Sequence, residues 1–239
     1  DPAFVGLSFR HYIRYIASAH IFRWPFWSGV IRTCFDPIPR AKASAEARTA
    51  IDVLKTLRDG VSVGIFGEGN RSFNGVTGPV VASTAKLVQR SGASLITYRL
   101  TGGYFTSPRW SVAFRYGRMH GAPVRTYSPE ELKQMSLTQI AEAIARDIAV
   151  DDYALQETDP VDFRGKKLAE QLETALYLCP ECGRIASLSS CGDRFACVCG
   201  LDLCYTRHGY FESADGGEPP FYTVRDWFAW QREQIAGRV

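Results

Sequence analysis

The sequence predicts an α/β chain, a mostly parallel sheet flanked by helices, followed by a small cysteine-rich subdomain. Three observations carry this. Two apolar runs, Val61 to Phe66 and Ala93 to Leu100, are separated by a polar loop and a helical pattern, the strand–helix–strand rhythm of parallel sheets. Close cysteine pairs stand at Cys179/Cys182 and Cys197/Cys199. The 239 residues are 46% hydrophobic and 22% charged, which suits a folded body with one good core and a small appendage.

The first forty residues are aromatic and basic together. Phe9, Tyr12, Ile13, Tyr15 and Ile16, then Ile21, Phe22, Trp24, Phe26 and Trp27, are interleaved with Arg10, Arg14, Arg23 and Arg32. They read as a helix pair whose Arg stems lie along apolar surface, or as a segment resting in a bilayer interface; the two are compatible. Ser44 to Arg58 has helical apolar spacing with Ser44 as N-cap and Gly60 as stop. After the strand Val61 to Phe66, a helix is expected from Pro79 to Arg90, ended by Gly92, and then the strand Ala93 to Leu100. Trp110 to Tyr116 alternates like a strand, Ser128-Pro129 opens a helix, and Thr138 to Ile148 forms the next one. The expected domains are 1–150 for the main body, 151–175 for an acidic linker and helix, and 176–239 for the cysteine-rich part with an aromatic tail.

Between the first two expected strands lies Gly64-Ile-Phe-Gly-Glu-Gly-Asn-Arg-Ser-Phe-Asn-Gly75. Strand-to-turn junctions are where open α/β sheets keep their sites, glycine lets backbone approach a ligand, and a guanidinium fork matches a phosphate. The alternative is a surface turn whose Glu68 and Arg71 are merely solvated. Phe66-Gly67-Glu68-Gly69-Asn70-Arg71-Ser72 resembles the Phe-Pro-Glu-Gly-Thr-Arg-Ser signature of the glycerolipid acyltransferases, the family that includes 1-acylglycerol-3-phosphate acyltransferase. Gly67 for Pro and Asn70 for Thr are the departures; the first loosens the turn, and Asn keeps a hydrogen-bonding side chain.

The resemblance implies a glycerolphosphate acyltransferase-like fold and a set of site residues. That family uses a His and an Asp five residues later as its catalytic pair, and Asp1-Pro-Ala-Phe-Val resembles the material that begins at this Asp. None of His11, His20, His120 or His208 has an Asp five positions on, so the resemblance places the general base five residues ahead of Asp1, with the body N-terminally truncated. Cys34-Phe-Asp-Pro-Ile-Pro-Arg40 resembles the second block, a short strand closing on an Arg that contacts the acceptor's phosphate. Glu68, Gly69, Asn70, Arg71 and Ser72 would complete the substrate site. The donor would be an acyl thioester of coenzyme A or acyl carrier protein, the acceptor a lysophospholipid, and the place the cytoplasmic face of the cell membrane, peripherally held.

Cys179-Pro-Glu-Cys182 and Cys197-Val-Cys199 have the spacing of a zinc ribbon, in which each turn delivers two sulfurs to one side of a metal. With all four ligands from protein, the zinc would be structural. Cys191 can stand in for one member of the second pair, and Cys204 and His208 are further donors. Disulfides are the other reading of such density, suited to small secreted proteins. The tail, with Phe221, Tyr222, Val224, Trp227, Phe228 and Trp230, is expected to cover the ribbon or to dock it to the body.

Two rival classes follow. Zinc ribbons also bind nucleic acid, but between Cys179 and Cys204 only Arg184 and Arg194 oppose Glu181, Asp193 and Asp202, and the net charge is only +3. That balance argues against nucleic acid as partner. The second rival keeps the fold as a non-catalytic lipid-binding relative.

Overall fold

The computed structural model describes residues 2–18, 29, 36–40 and 46–237, a mixed α/β chain. Asp1, Cys34, Ser44 and the aromatic stretch 19–28 lie outside the described residues. The chain forms two compact units interleaved in sequence: Asp1–Gly69, Pro79–Arg99 and Gly121–Ile148 make the first, and Asn70–Gly78, Leu100–His120 and Ala149–Val239 the second.

In the first unit, helix α1 (Pro2–Leu7) leads to strand β1 (Ile13–Ser18). The helical reading of this basic, aromatic stretch is therefore corrected for Ile13–Ser18: β-branched and aromatic residues at Ile13, Tyr15 and Ile16 suit a pleated surface. β1 is the middle strand of a parallel sheet, pairing Ile16 with Ile38 of β2 (Ile38–Arg40) and Ile13 with Ser62 of β3 (Ser62–Gly64). Arg14 ties this sheet together. Its Nε donates to the Asp36 carbonyl at 2.8 Å, and its Nη1 donates to Thr56 Oγ1, at 3.0 Å, on α2 (Glu46–Arg58).

Helix α3 (Ala82–Ser91) starts three residues beyond Pro79 and ends, as expected, on Gly92 at φ 64°. Strands β4 (Leu95–Thr101) and β5 (His120–Tyr127) pair with each other. Among the described residues, parallel pairing joins β2, β1 and β3 in a three-stranded sheet, and β4 with β5 makes a separate two-stranded one. Ser128 caps α5 (Pro129–Gln134), accepting from the Glu131 amide at 3.2 Å. Ile140, Ala143 and Ile144 of α6 (Leu137–Ile148), at the i, i+3, i+4 spacing of one helix face, are buried with Ala85 of α3.

The second unit is built on an antiparallel meander, β6 (Leu188–Cys191), β7 (Arg194–Cys197), β8 (Asp202–Tyr205) and β9 (Phe211–Ser213), in that spatial order. Phe195, Leu203, Tyr205 and Phe211 form its buried face. Across it lies α8 (Val224–Ala236), capped by Thr223, whose hydroxyl accepts from the Asp226 amide. Trp227 is fully buried, with ring centroids 5.6 Å from Phe195 and 5.5 Å from Phe211, and its Nε1 donates to the Leu178 carbonyl at 2.9 Å. The aromatic tail therefore does cover the cysteine-rich sheet.

Two local readings change here. Among the described residues Trp110 to Tyr116 pairs with no strand: Tyr116 forms an isolated bridge to Arg164, and the Ser111 hydroxyl satisfies the Ala113 amide and carbonyl locally. Within the stretch read as acidic linker, Asp151 caps a helix, α7 (Asp152–Thr158), accepting from the Tyr153 and Ala154 amides. Asp152 then accepts from the amides of Gly102 and Tyr104 at 2.7 and 3.1 Å, holding the start of the short helix α4 (Gly103–Thr106).

Candidate functional site

The loop after β3 is shaped by backbone requirements before any side chain acts. The Tyr15 ring lies over Gly64 where any Cβ would collide, and it stacks on Phe66 at 6.2 Å between centroids. Beyond Phe66 the chain turns: the Gly69 amide donates to the Phe66 carbonyl at 3.0 Å, with Gly69 at φ 69°, a left-handed conformation that favours glycine. Glu68, half-buried, sits at this turn and belongs to the first unit. Gly67 has no such constraint. A Cβ there would meet Val80, Ile148 and Ile144 at 3.6 to 3.9 Å, ordinary contact distances.

Asn70, Arg71 and Ser72 belong to the second unit. Asn70 and Arg71 are exposed. Arg71 Nη1 donates to the carbonyl and hydroxyl of Ser107, so one edge of the guanidinium is fixed, and it forms no ion pair among the described residues. That leaves its remaining donors for an anion. Ser72 is engaged within the loop: its hydroxyl donates to the Val76 carbonyl at 2.9 Å and accepts from the Gly75 amide at 2.9 Å. Arg40 ends β2, its backbone paired with Ser18. Ser107, which steadies Arg71, has no sequence signal, because it stands 36 residues away and meets the Arg only in the folded chain.

The four predicted cysteines come together. The sulfurs of Cys179, Cys182, Cys197 and Cys199 all lie within 4.8 Å of one another, with Cys179 to Cys199 at 3.8 Å and Cys182 to Cys197 at 3.7 Å. A tetrahedron of thiolates about 2.3 Å from zinc has edges of about 3.8 Å, whereas a disulfide needs about 2.05 Å. All six described cysteines are free thiols; Cys191 is exposed and lies outside the group, as does Cys204.

Two knuckles build the cluster. The Cys179 amide donates to the Arg184 carbonyl, and Gly183, at φ 66°, donates back to the Cys179 carbonyl. In the second knuckle the Cys197 amide donates to the Leu201 carbonyl and Gly200 donates to the Cys197 carbonyl. Burial pushes the Cys179 thiol up to about 12. Burial also acts upward on Cys197, but the Ser187 hydroxyl 3.2 Å away, the Cys199 amide and the neighbouring thiols outweigh it and draw Cys197 down to about 6. The surroundings of Cys197 thus favour its thiolate, the form in which a metal is bound.

Residues 1–101 match the acyltransferase family model. This acyltransferase-like portion runs from α1 to the end of β4 and contains Arg40 and the whole Glu68 to Ser72 loop. Among solved structures, the 1-acyl-sn-glycerophosphate (LPA) acyltransferase PlsC from Thermotoga maritima is similar at 16% identity and a TM-score of 0.46, covering 61% of this chain. The chain spans 56% of that protein's structure. No curated protein matches. Among the described residues no helix is long and apolar enough to cross a membrane.

Proposed function

We propose that the acyltransferase-like portion moves a fatty acyl group from an acyl thioester, on coenzyme A or acyl carrier protein, to a hydroxyl of lysophosphatidate or a related glycerol phosphate in phospholipid synthesis. The observation that carries this reading is the acyltransferase match over residues 1–101, whose span includes the Glu-Gly-Asn-Arg loop. The acceptor hydroxyl attacks the thioester carbonyl as a histidine removes its proton, and the thiol leaves; Asp1 holds that imidazole in the required tautomer. Arg71 takes the acceptor's phosphate, Arg40 is the further candidate for it that the family resemblance supplies, Glu68 fixes the turn or meets a glycerol hydroxyl, and Asn70 adds a polar contact at the loop's tip. Gly69 and Ser72 give the loop its shape. Holding hydroxyl and thioester together supplies much of the rate gain in such a direct transfer. The reaction is placed at the cytoplasmic face of the cell membrane, where both lipid and thioester meet the enzyme.

The four-sulfur group supports one zinc ion held by Cys179, Cys182, Cys197 and Cys199. A site filled by four protein ligands leaves no position for water, so the ion stabilises the second unit rather than taking part in the reaction.

The reaction is tested by following labelled acyl transfer from acyl-coenzyme A to lysophosphatidate by the full-length natural protein. Product is expected, abolished in Glu68→Ala. Arg71→Ala should raise the acceptor's KM, or lower kcat/KM, by roughly 10- to 1000-fold, as for loss of one charged contact. Failure with every phosphate-bearing acceptor, and with acyl carrier protein as donor, would favour the non-catalytic lipid-binding relative. Unchanged kinetics in Arg71→Ala would remove that residue from the site.

A further inference from the structure

The segment that steadies Arg71 carries an arginine of its own. Arg109 follows α4 and stands exposed between Pro108 and Trp110, which are both buried. With both neighbours fixed in the interior, the backbone here turns one side chain outward, and that side chain is a cation. The Arg109 amide donates to the Ser72 carbonyl at 3.2 Å, which pins the segment to the residue next to Arg71. The side-chain contacts run both ways. Arg71 reaches across to the Ser107 carbonyl at 3.2 Å and to its hydroxyl, two residues before Arg109. Arg109 reaches back, its guanidinium carbon 4.5 Å from the centre of the Phe73 ring, two residues after Arg71. Phe73 is itself stacked on Phe228 of α8, with centroids 6.5 Å apart and planes within 11°. Each arginine therefore lies against the segment that supplies the other, and all these residues belong to the second unit.

A guanidinium laid on an aromatic face is held flat and keeps its N–H edges free, the form in which it takes a phosphate by two parallel hydrogen bonds. Arg109 makes no ion pair and no side-chain hydrogen bond among the described residues. The nearby carboxylates are engaged elsewhere. Residues 70–78 and 100–120 contain no Asp or Glu. Asp151, whose backbone bridges to Val76, is paired with Arg225, and the Asp152 carboxyl accepts from the Gly102 and Tyr104 amides. Two cations held on crossed segments repel each other unless an anion lies between them, and their combined charge matches the roughly two negative charges of a phosphate monoester at neutral pH.

We propose that Arg71 and Arg109 together hold one phosphate monoester, with Arg109 as the second arm of the grip. The choice of a phosphate rests on the acyl-transfer reading above, while the pairing of the two arginines rests on the crossed contacts alone. Glycerol 3-phosphate and lysophosphatidate carry such a group, and so does the ribose of coenzyme A, so acceptor and donor share the chemistry that the pair recognises. Stacking on Phe73 fixes the Arg109 plane before any ligand arrives, which lowers the entropy lost when the ligand binds.

The test is isothermal titration of the full-length natural protein with glycerol 3-phosphate, and separately with coenzyme A and with dephospho-coenzyme A, each without an acyl group to transfer. Arg109→Gln should weaken binding of the phosphate monoester at least about 10-fold, as for loss of one charge-assisted contact, and Arg109→Lys should recover part of the loss. A loss seen with glycerol 3-phosphate assigns the pair to the acceptor; a loss seen with coenzyme A and absent from dephospho-coenzyme A assigns it to the donor. Because both arginines share one ligand, Arg71→Gln/Arg109→Gln should lose less than the product of the two single losses. Unchanged affinity in Arg109→Gln would overturn the proposal, whether or not the melting temperature falls, since a fall alone marks a residue that only supports the Phe73 stack. So would losses that simply multiply in the double variant, or a wild type that binds none of the three ligands. Acyl transfer that persists unchanged in Arg109→Gln, with unchanged affinity, would sink this pairing and leave the catalytic reading standing. Binding that depends on Arg109 in a protein without detectable transfer would do the reverse.

Discussion

The two units keep their interiors dry in different ways. In the second, nineteen buried residues from Tyr104 to Trp227 form one cluster among the described residues, rich in aromatic rings and including two of the four grouped cysteines. In the first, the described cluster is six residues on α3, α5, α6 and the end of β5, without a ring larger than Tyr127. Short strands and tight knuckles cannot enclose so much by backbone pairing alone; the second unit relies on the cysteine group at one end and α8 across its sheet. The first unit relies on helix faces and on Arg14 bridging the sheet. The lesson is that the cysteine-rich segment belongs to a compact unit that also contains residues 70–78 and 100–120.

The largest expected effect breaks the comparison at the cysteines. Cys197→Ser should abolish binding of one zinc per chain, measured by native mass spectrometry on protein purified without chelator, and make the second unit sensitive to protease. Apparent zinc binding energies of about 10–16 kcal/mol in small thiolate sites exceed the stability of most domains. Next is Trp227→Ala, which empties space beneath Phe195 and Phe211 and strands the Leu178 carbonyl; a loss of about 3–5 kcal/mol is expected in urea unfolding followed by tryptophan-independent circular dichroism. A smaller effect sharpens the account of the loop. Gly69→Ala forces an alanine to φ near 69° and should cost about 1–2 kcal/mol, while Gly67→Ala should be neutral or stabilising by up to about 1 kcal/mol.

The smallest effect is in acid, where two buried aspartates oppose each other. Burial acts to raise the Asp147 carboxyl, but hydrogen bonds donated by Tyr127 at 2.6 Å and Thr97 at 3.0 Å, with the Arg146 charge, outweigh it and hold the group below its usual 3.8. Its contribution to the first unit is present above 3.8 and is lost as pH falls through the lowered value. Burial pushes Asp152 above 3.8 despite its two amide donors. Its contribution to the second unit is full below 3.8 and is lost as pH rises through the raised value. Thermal scans below about pH 5 should therefore show Asp147→Asn flattening the acid loss of the first unit, and Asp152→Asn flattening an opposite slope in the second. Matching slopes in both units would contradict these assignments.

How much of this was legible in the sequence depended on whether a feature is local. The cysteine group was, because thiolate spacing within two knuckles fixes most of the geometry. The caps at Ser128 and Gly92 were, because a helix end is decided by one or two residues. Arg71 and Gly69 were recognisable as a loop, but the Ser107 contact that steadies Arg71 was not, since nothing in either segment specifies their meeting. Ile13 to Ser18 read as helix because aromatic and basic residues at mixed spacing satisfy either period; only partners on both sides, β2 and β3, make it a strand. Trp110 to Tyr116 failed for the converse reason. Its alternation is real, yet Arg115, anchored on Trp110, Tyr205 and Leu168, turns the apolar face to solvent and leaves no partner strand beside it.

The most direct test of a metal-organised second unit beside a metal-independent first one is amide hydrogen exchange before and after chelation. The account predicts that protection collapses across Leu172 to Tyr205 and α8, while α2, α3 and α6 keep theirs. Unchanged exchange around Cys179 and Cys197 after a strong chelator, or an equal loss in both units, would contradict it.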